Sequence, residues 1–580
     1  MAQGMTYGNS EAGQATIMVT LALLAMCGLI GLAVDFGWAF YVRRAAQAAA
    51  DSAALAATRA ALKNSQGSID CVTLGCEASP VSCSSISAAN LSTACAYAER
   101  NGFSPGGGNG HQSVTIQAGT GSAPTAIGVS SQYWTTVRIS ETVPQLFSAM
   151  MGHPLATVAA RSTGAVTEVV VSGSLVLLNR SSDASPTVGA GTNLSVQGGG
   201  TVTATGGILM ASTSSSAGQL GGSSRVINTA FTHILGTGRY TLGGASSAWQ
   251  NTPTNGYSDG SQFFDPMRGK GQPPPPASVL PAIAVPGGSV AGGTSTNPTV
   301  LFPGNYYSTM SCGTGCVQAS AAPIILGNGY FTFSNNGSGF GNYIFYGGLA
   351  TGSGATTVTF APGRYIFAGT TGGNGSFSIN NGTTLQDHTA TAGVPASDAG
   401  EIFIFTDLTY PGLSSQIPAA VSAQSSLFSY GSAGFKAGSN SKSSINLHGL
   451  NPTDPNLPAS LQPFAPVVMW QDQGNSHVKY APDGSVDTSC VGATIDNPCT
   501  NPRVSASAAS PQLDLLSSAT ARLYGAVYQP RGGWTVIQGS GSSTGPLQIV
   551  TGALSVQGSG TVLLKGLANP LTVLTAALVE

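Results

Sequence analysis

Hydrophobic residues form one long uninterrupted run near the start of the chain. The twenty residues from Ala15 to Val34 carry no charge. At about 1.5 Å of rise per residue, a helix of that length spans the roughly 30 Å hydrocarbon layer of a bilayer. Residues 1–14 contain no Lys or Arg, unlike the basic start of a cleaved secretory signal. The pattern predicts a retained transmembrane helix, with residues 1–14 as a cytoplasmic tail.

The helical pattern continues past the apolar run to Leu62. Trp38, Phe40 and Tyr41 suit an interfacial aromatic belt, and the stretch after them has no Gly or Pro. Alanines recur there every four residues, and such a face allows close approach of another helix. High helix propensity alone is the alternative explanation. We predict a helix-packing interface on this face, formed by Ala45, Ala49, Ala53, Ala57 and Ala61.

After about residue 165 the pattern changes to short apolar or alternating runs separated by Gly, Asn and Ser, which is typical of strands. The stretch LSVQGGGTV at Leu194–Val202 recurs as LSVQGSGTV at Leu554–Val562. Pro-Gly turns followed by an aromatic strand recur at 302–306 and 360–365. Repeats favour stacked rungs, since one rung cannot bury its own apolar face. We predict a mainly β fold with an N-terminal transmembrane α-helix. The β part is expected to be a parallel β-helix or solenoid, with a β-sandwich as the alternative because the period is irregular.

Length and composition divide the chain further, because 580 residues exceed what one core usually organises. The four prolines Pro273–Pro276 lie in a Pro/Gly-rich stretch without periodicity, which predicts a linker. The predicted parts are a helix with an Ala-rich extension at 15–62, a small α/β region with clustered Cys at 63–165, a first β-rich part at 166–265, the linker at 266–300 and the main β-rich, solenoid-like domain at 301–580.

Charge and cysteine usage bear on the compartment. Charged residues make up only 7% of the chain and the net charge is −2, without a basic run that would neutralise phosphates, so we exclude nucleic-acid binding. Apart from Cys27 in the apolar run, the cysteines lie in close groups of even number. This favours disulfides in an oxidising compartment over zinc. The disulfide candidates are Cys71, Cys76, Cys83, Cys95, Cys312, Cys316, Cys490 and Cys499, with local closure predicted for the last two pairs.

The N-terminal residues resemble a known family. Four stretches are similar to the N-terminal segment of TadG-like proteins of Flp/Tad pilus assembly. They are Gly13-Gln-Ala, Gly31-Leu-Ala-Val-Asp-Phe-Gly, Tyr41-Val-Arg-Arg and Gln47-Ala-Ala-Ala-Asp-Ser-Ala-Ala-Leu-Ala-Ala. The resemblance is close over about sixty residues and looser to Phe147. It implies a single-pass inner-membrane protein whose helix engages pilus-assembly proteins and whose C-terminal bulk is periplasmic or extracellular.

Two arginines oppose that orientation. Under the positive-inside rule Arg43 and Arg44 belong in the cytoplasm, whereas the resemblance places everything after the helix outside it. We follow the resemblance, because the paired cysteines and the charge-poor remainder independently favour export.

Candidate catalytic groups are sparse. After residue 166 the glutamates are Glu168, Glu401 and Glu580, and aspartates such as Asp387 stand singly. Paired carboxylates for glycan cleavage are therefore not evident in the sequence, and no nucleophile elbow, P-loop or zinc-protease motif occurs. We expect a non-enzymatic structural or assembly component of a Tad/Flp-type pilus (adhesion) system, without cofactor or metal. The alternative is a glycan-binding or glycan-processing β-helix protein of the cell envelope.

Overall fold

The chain forms two compact units in a computed structural model. One comprises the described residues up to Glu168 together with those from Leu574 onward, and the other runs from Val169 to Val573. We call them unit 1 and unit 2. The structure describes residues 11–64, 69–106, 110–123, 131–170, 173–178, 191–228, 230–244, 246–251, 253–257, 266–267, 272–369, 377–388, 398–406, 408, 410–428, 434–437, 442–472, 512–516, 520–537, 542–543, 547–567 and 571–579.

Unit 1 combines one long helix with a five-stranded sheet. The elements are α1 (Glu11–Asn64), α2 (Cys71–Leu74), α3 (Ala89–Arg100), β1 (Glu77–Ser82), β2 (Gln112–Thr120), β3 (Tyr133–Pro144), β4 (Leu155–Val170), β37 (Thr572–Leu578) and 3-10 turns at Cys83–Ser85 and Ser148–Met151. The strand order in the sheet is β1-β2-β3-β4-β37, and the pairs from β1 to β4 are antiparallel. The apolar run and the Ala-rich stretch are one continuous helix, as expected from the absence of Pro.

Unit 2 is built from parallel strands that pair at an interval of three. The strands of its first series are β5 (Gly173–Leu177), β6 (Leu194–Val196), β7 (Thr201–Ala204), β8 (Gly207–Met210), β9 (Gly218–Leu220), β10 (Arg225–Asn228), β11 (Thr232–Leu235), β12 (Tyr240–Leu242), β13 (Ala248–Trp249) and β14 (Thr254–Tyr257).

The remaining strands of unit 2 form a second series. They are β15 (Ala282–Pro286), β16 (Ser289–Val290), β17 (Thr299–Leu301), β18 (Gly304–Gly313), β19 (Cys316–Ser320), β20 (Ile324–Leu326), β21 (Gly329–Phe333), β22 (Gly341–Tyr346), β23 (Leu349–Thr351), β24 (Thr356–Phe360), β25 (Gly363–Ala368), β26 (Phe377–Ile379), β27 (Thr383–Asp387), β28 (Glu401–Thr406), β29 (Phe435–Ala437), β30 (Ser444–His448), β31 (Val467–Gln471), β32 (Gln512–Leu516), β33 (Thr520–Ile537), β34 (Ser542–Ser543), β35 (Leu547–Gln557) and β36 (Thr561–Leu564). Short helical turns lie at Leu413–Gln416, Ala419–Ser422, Ser425–Leu427 and Ala459–Phe464. In the centre of the series β24 pairs with β27, β25 with β28 and β26 with β29, all in parallel.

Alternating and continuous apolar strands have different surroundings in unit 2. In β24 the alternation buries Val358 and Phe360 inside, while Thr357 and Thr359 are partly exposed. In β25 every residue is buried, because Phe367 faces the inner core and Ile366 faces a second apolar layer. That layer is supplied by connections between strands, including Leu413. A strand covered on both faces needs a continuous apolar sequence.

Aromatic residues form columns through the inner core. Tyr343 stacks on Tyr365 with ring centroids 5.0 Å apart, and Tyr365 stacks on Phe403 at 5.2 Å. A second column repeats the spacing, with Phe367 5.4 Å from Phe345. Each ring pair adds about 0.5–1.5 kcal/mol beyond its buried area. The parallel register of β22, β25 and β28 therefore places these rings directly above one another.

The two nearly identical stretches of sequence lie against each other. Leu194 pairs with Leu554 and Val196 with Val556 in parallel register, and the next strands continue the match with Thr201 opposite Thr561. The first strands of the unit therefore pair with its last ones. We call this pairing of β5, β6 and β7 with β35 and β36 the seam.

The predicted linker at 266–300 requires a correction. Because β5 to β14 extend from one side of the seam and the series from β15 extends from the other, the chain must return along the unit before β15. Residues 272–280, which we call the strap, make the last part of this return and lie against the unit's own surface. Gln416 donates to the carbonyl oxygens of Pro276 and Ser278, both at 2.8 Å. Residues 282–301 then form strands, so both β-rich parts belong to one unit.

The predicted fold class is confirmed as mainly β with parallel sheets and a long apolar N-terminal helix. Among the described strand pairs of unit 2, β18 with β19 is antiparallel and the others are parallel, which excludes the antiparallel sandwich there. The boundary between the units falls at Glu168, close to the predicted 165.

Candidate functional site

The predicted alanine interface is a packing face within this chain. Ala49, Ala53, Ala57 and Ala61 are fully buried, and Ala45 is partly buried at the edge of the same core. The helix that approaches is the chain's own α3, through Leu91, Ala94 and Ala98, and the sheet adds Ile116 and Val137. The predicted helix-packing interface is therefore an intramolecular one, formed with elements of the same chain.

The apolar N-terminal half of α1 is exposed on nearly all sides. Leu24, Leu29, Phe36 and Phe40 are exposed apolar side chains on the helix. One helix, over Ala15–Leu62, is long and apolar enough to cross a membrane in the described part of the chain. Its apolar surface is not covered by the described parts of this chain.

Asp35 connects α1 to the loop between β3 and β4. Its carboxylate accepts three backbone N–H bonds, from Leu146 at 2.9 Å, Phe147 at 3.0 Å and Ser148 at 2.8 Å. A carboxylate that accepts several N–H bonds is a strong anchor for a loop. Sequence reasoning missed this contact, although an aspartate at the end of an uncharged run was a visible signal.

A basic cleft of about 600 Å³ lies between α1 and the sheet of unit 1. Arg43 lines it from the helix, and Arg138 and Arg161 line it from β3 and β4. The last two lie directly opposite each other in antiparallel register. Like charges in that position repel, so the cleft is suited to an anionic group.

Six of the eight disulfide candidates are paired in the structure. Cys71 pairs with Cys76, Cys83 with Cys95, and Cys312 with Cys316, with Cα–Cα separations of 5.0, 5.6 and 5.1 Å. All three separations lie in the range that a disulfide requires. Cys490 and Cys499 lie outside the described residues. Cys27 is an exposed free thiol on α1.

Acidic and histidine side chains from three strands meet in unit 2. Asp387 ends β27, Glu401 begins β28 and His448 ends β30. His448 Nδ1 lies 2.9 Å from Asp387 Oδ2, and the His448 backbone N–H donates to Glu401 Oε2 at 3.2 Å. His388 Nδ1 lies 3.1 Å from Asp387 Oδ1 and 3.4 Å from Asp398 Oδ2. We call these five residues the acid–histidine cluster.

Burial and mutual repulsion favour proton uptake by the cluster. Burial first, and then the charges of Asp387 and Asp398, raise the pKa of Glu401 well above its ordinary value. Burial also raises the pKa of Asp398. The hydrogen bond to Asp387 raises the pKa of His388. Glu401, Asp398 and His388 thus hold their protons more tightly than the same groups do in water.

Access limits what the cluster can do chemically. The side chains of Asp387, Glu401 and His448 are buried, whereas the His388 side chain is 40% exposed and the Asp398 side chain 19%. Donor atoms of Asp387, His388 and Asp398 lie within 4.8 Å of one another, a mixed set that suits Zn²⁺ or Mn²⁺. His388 Nδ1 already lies within ion-pair distance of both aspartates, so ion pairing accounts for the geometry of this trio.

In the sequence Asp387 and Glu401 stand as single carboxyls, and both are far from His448 along the chain. Their convergence depends on the parallel pairing of β27 with β30, which brings the ends of these two strands together. Strand register over such separations was not visible in the residues. The Asp387-His388 dipeptide at a strand end was the one local signal.

Comparison with known proteins gives one family match. Residues 13–61 match the model of the Tad family, described as Flp pilus-assembly TadE/G-like. Comparisons with curated proteins and with solved structures gave no match. The match coincides with α1, and the matched helix is the one that is long and apolar enough to cross a membrane. Together they fit a single-pass membrane component of pilus assembly.

Proposed function

We propose that this chain is a membrane-anchored, non-enzymatic structural component of a Tad/Flp-type pilus (adhesion) system, held in the inner membrane by α1. The observation that carries the proposal is the coincidence of the family match at residues 13–61 with the membrane-length apolar helix. The alanine face is already used inside unit 1. Partners in the membrane therefore meet the exposed face that carries Phe36 and Phe40.

Unit 2 is, in this proposal, a parallel β-helix that serves as a rigid projecting module in the periplasm or outside the cell. Parallel pairing at an interval of three strands supports the architecture. The disulfide at the tip of the β18–β19 hairpin supports an oxidising compartment. A stacked core with stacked aromatic rings resists bending, which suits a structural role.

Site-specific photo-crosslinking in the native host tests the partner claim. A photoreactive phenylalanine analogue replaces Phe40, which is exposed on α1 and outside the buried face. We expect crosslinks to other pilus-assembly proteins, identified by mass spectrometry. The matched control carries the same analogue at Tyr330, an exposed aromatic of unit 2.

Two outcomes contradict the proposal. One is an adduct pattern at Phe40 that contains lipid and this chain alone. The other is the same set of proteins captured from Phe40 and from Tyr330, because contact would then not be specific to α1.

The acid–histidine cluster favours a second candidate, a glycan-processing role, because it gathers carboxyl groups that the sequence shows only singly. The buried positions of Asp387 and Glu401 leave Asp398 and His388 as its accessible groups. Release of reducing ends from cell-envelope polysaccharide by the purified protein, abolished by Asp398→Asn, would establish this candidate. Equal, background release by both proteins would eliminate it.

A further inference from the structure

The β3–β4 loop, residues 145–154, is fixed to α1 at the end of the apolar run. Asp35, which follows Val34 directly, accepts the N–H groups of Leu146, Phe147 and Ser148. Asp35 is buried although its neighbours along α1 are exposed. The loop therefore has a defined level along the helix.

Phe147 sets that level inside the apolar run. A side chain at Gly31 would overlap the Phe147 ring, so the glycine allows the ring to lie directly on the helix backbone. Gly31 precedes Val34 by three residues, or about 4.5 Å of helix rise. When the run from Ala15 to Val34 fills the hydrocarbon layer, the Phe147 ring lies just below its surface.

The remaining apolar side chains of the loop have no cover in the described structure. Met150 is 84% exposed, Leu146 is 71% exposed and Leu155, at the start of β4, is 55% exposed. Apolar side chains of this size are more stable in an apolar environment than in water. All three flank the Phe147 contact, on the same end of the β3–β4 pair.

We propose that the β3–β4 loop inserts into the lipid surface beside α1, as a second, interfacial membrane contact of unit 1. The inference rests on the proposed membrane anchoring by α1. Interfacial apolar groups enter about 5–10 Å into the headgroup and acyl boundary, which matches the level set by Gly31. Together, helix and loop hold unit 1 in one orientation on the bilayer, which a single helix cannot do.

Depth-dependent fluorescence quenching tests the insertion in the full-length protein, reconstituted in phosphatidylcholine and phosphatidylglycerol vesicles that contain nitroxide-labelled lipids. A thiol-reactive fluorophore is placed on Met150→Cys or, separately, on Leu155→Cys, in a background with Cys27, Cys490 and Cys499 changed to Ser. Because both side chains are exposed, the two labels are independent of core packing. We expect quenching about threefold or more above that of a label outside the lipid, given the 5–10 Å insertion depth.

Two reference labels separate the possible failures. The first is on native Cys27, which lies exposed in the middle of the apolar run and reports the anchor itself. The second is on Gln132→Cys, exposed at the opposite end of β3 and about 40 Å from the loop at 3.3–3.4 Å per residue. Strong quenching at 27, 150 and 155 with little at 132 supports the insertion. If the label on Cys27 is quenched but the labels at positions 150 and 155 are quenched no more than the label at position 132, the loop insertion is overturned and the anchoring stands. If the label on Cys27 is not quenched, the anchoring by α1 is overturned as well.

Discussion

Leu554 lies directly opposite Leu194 in a parallel strand pair, although the two residues belong to the last and the first strands of unit 2. Both side chains are fully buried in the inner core. The seam therefore joins two stretches of nearly identical sequence, and each supplies the apolar surface that the other must cover. A stacked β structure whose first strands were left uncovered would expose an unpaired edge.

Engineered disulfides test the register of the seam. Ser195 lies opposite Ser555, and neighbouring strands are about 4.7–4.9 Å apart, within the Cα separation that a disulfide accepts. We expect Ser195→Cys with Ser555→Cys to crosslink on oxidation, as read by mass spectrometry of unreduced peptides. The matched control, Ser195→Cys with Gln557→Cys, is offset by two residues and should crosslink poorly. Equal yields from both pairs would show that the register is wrong.

Gln416 is expected to hold the strap in place. Its buried amide donates to the Pro276 and Ser278 carbonyls, and its Oε1 accepts from the Leu280 N–H at 3.0 Å. Gln416→Ala leaves these groups without a partner, at about 1–3 kcal/mol for each that stays buried. We expect faster proteolysis within residues 272–281 and a lower free energy of unfolding.

The neighbouring Ser415→Ala is the matched control for that substitution, because Ser415 is exposed and bonds only locally to Gly412 among the described contacts. We expect it to change neither the proteolysis rate nor the unfolding free energy. Cleavage of the strap at the same rate in both variants would contradict the role of Gln416.

The acid–histidine cluster should make unit 2 more stable in mild acid than in mild alkali. The pKa of Glu401 is raised in the folded state, so between its unfolded value and its folded value the folded protein binds more protons and stability falls as pH rises. The raised pKa of His388 acts in the same direction, because its stabilisation is complete below its unfolded pKa and is lost as pH rises through the folded pKa.

Glu401→Gln is expected to flatten this dependence, since the amide oxygen can still accept the His448 N–H. A tenfold difference in proton affinity between the folded and unfolded protein corresponds to about 1.4 kcal/mol of stability. Denaturant unfolding at pH 5 and pH 8 measures the change, with Glu99→Gln, an exposed carboxyl of unit 1, as a control that leaves the slope unaltered. The same slope in Glu401→Gln as in the parent protein would argue against the raised pKa.

The disulfides of unit 1 are predicted to be Cys71–Cys76 and Cys83–Cys95. Mass spectrometry of unreduced, alkylated peptides should recover these two links, and a Cys76–Cys83 link would contradict them. Closing the segment between Cys83 and Cys95 restricts the unfolded chain, so Cys83→Ser with Cys95→Ser should cost about 3 kcal/mol in the chain-entropy model. Chemical denaturation with and without the substitutions gives the value.

The local sequence pattern was enough to predict the helix, the strands and the repeats. It did not predict which elements pack against one another. The apolar run and the absence of Pro predicted α1, and the repeated LSVQG stretch indicated stacked strands. That its two copies pair with each other, and that the proline segment is a strap, depends on the order of the strands, which residues do not show. The alanine spacing predicted a close helix contact, yet only the structure shows that α3 makes it.

The acid–histidine cluster and the Asp35 contact were beyond sequence reasoning for the same reason. Each joins side chains or backbone groups that are distant along the chain and that meet through strand register or loop placement. Single carboxyls in a sequence carry no signal of what lies opposite them in space.

A role in pilus assembly through the N-terminal helix is tested most directly by the number of surface pili on the native host, counted by electron microscopy. A deletion strain is complemented with either the full chain or a chain whose residues 13–30 are replaced by an unrelated apolar helix, which keeps the Gly31 and Asp35 contacts and the buried alanines of unit 1. Membrane levels of both chains are matched by immunoblotting. We expect pili to be lost on deletion and to return only with the native helix. Normal pilus numbers in the deletion strain, or equal rescue by the unrelated helix, would contradict this role.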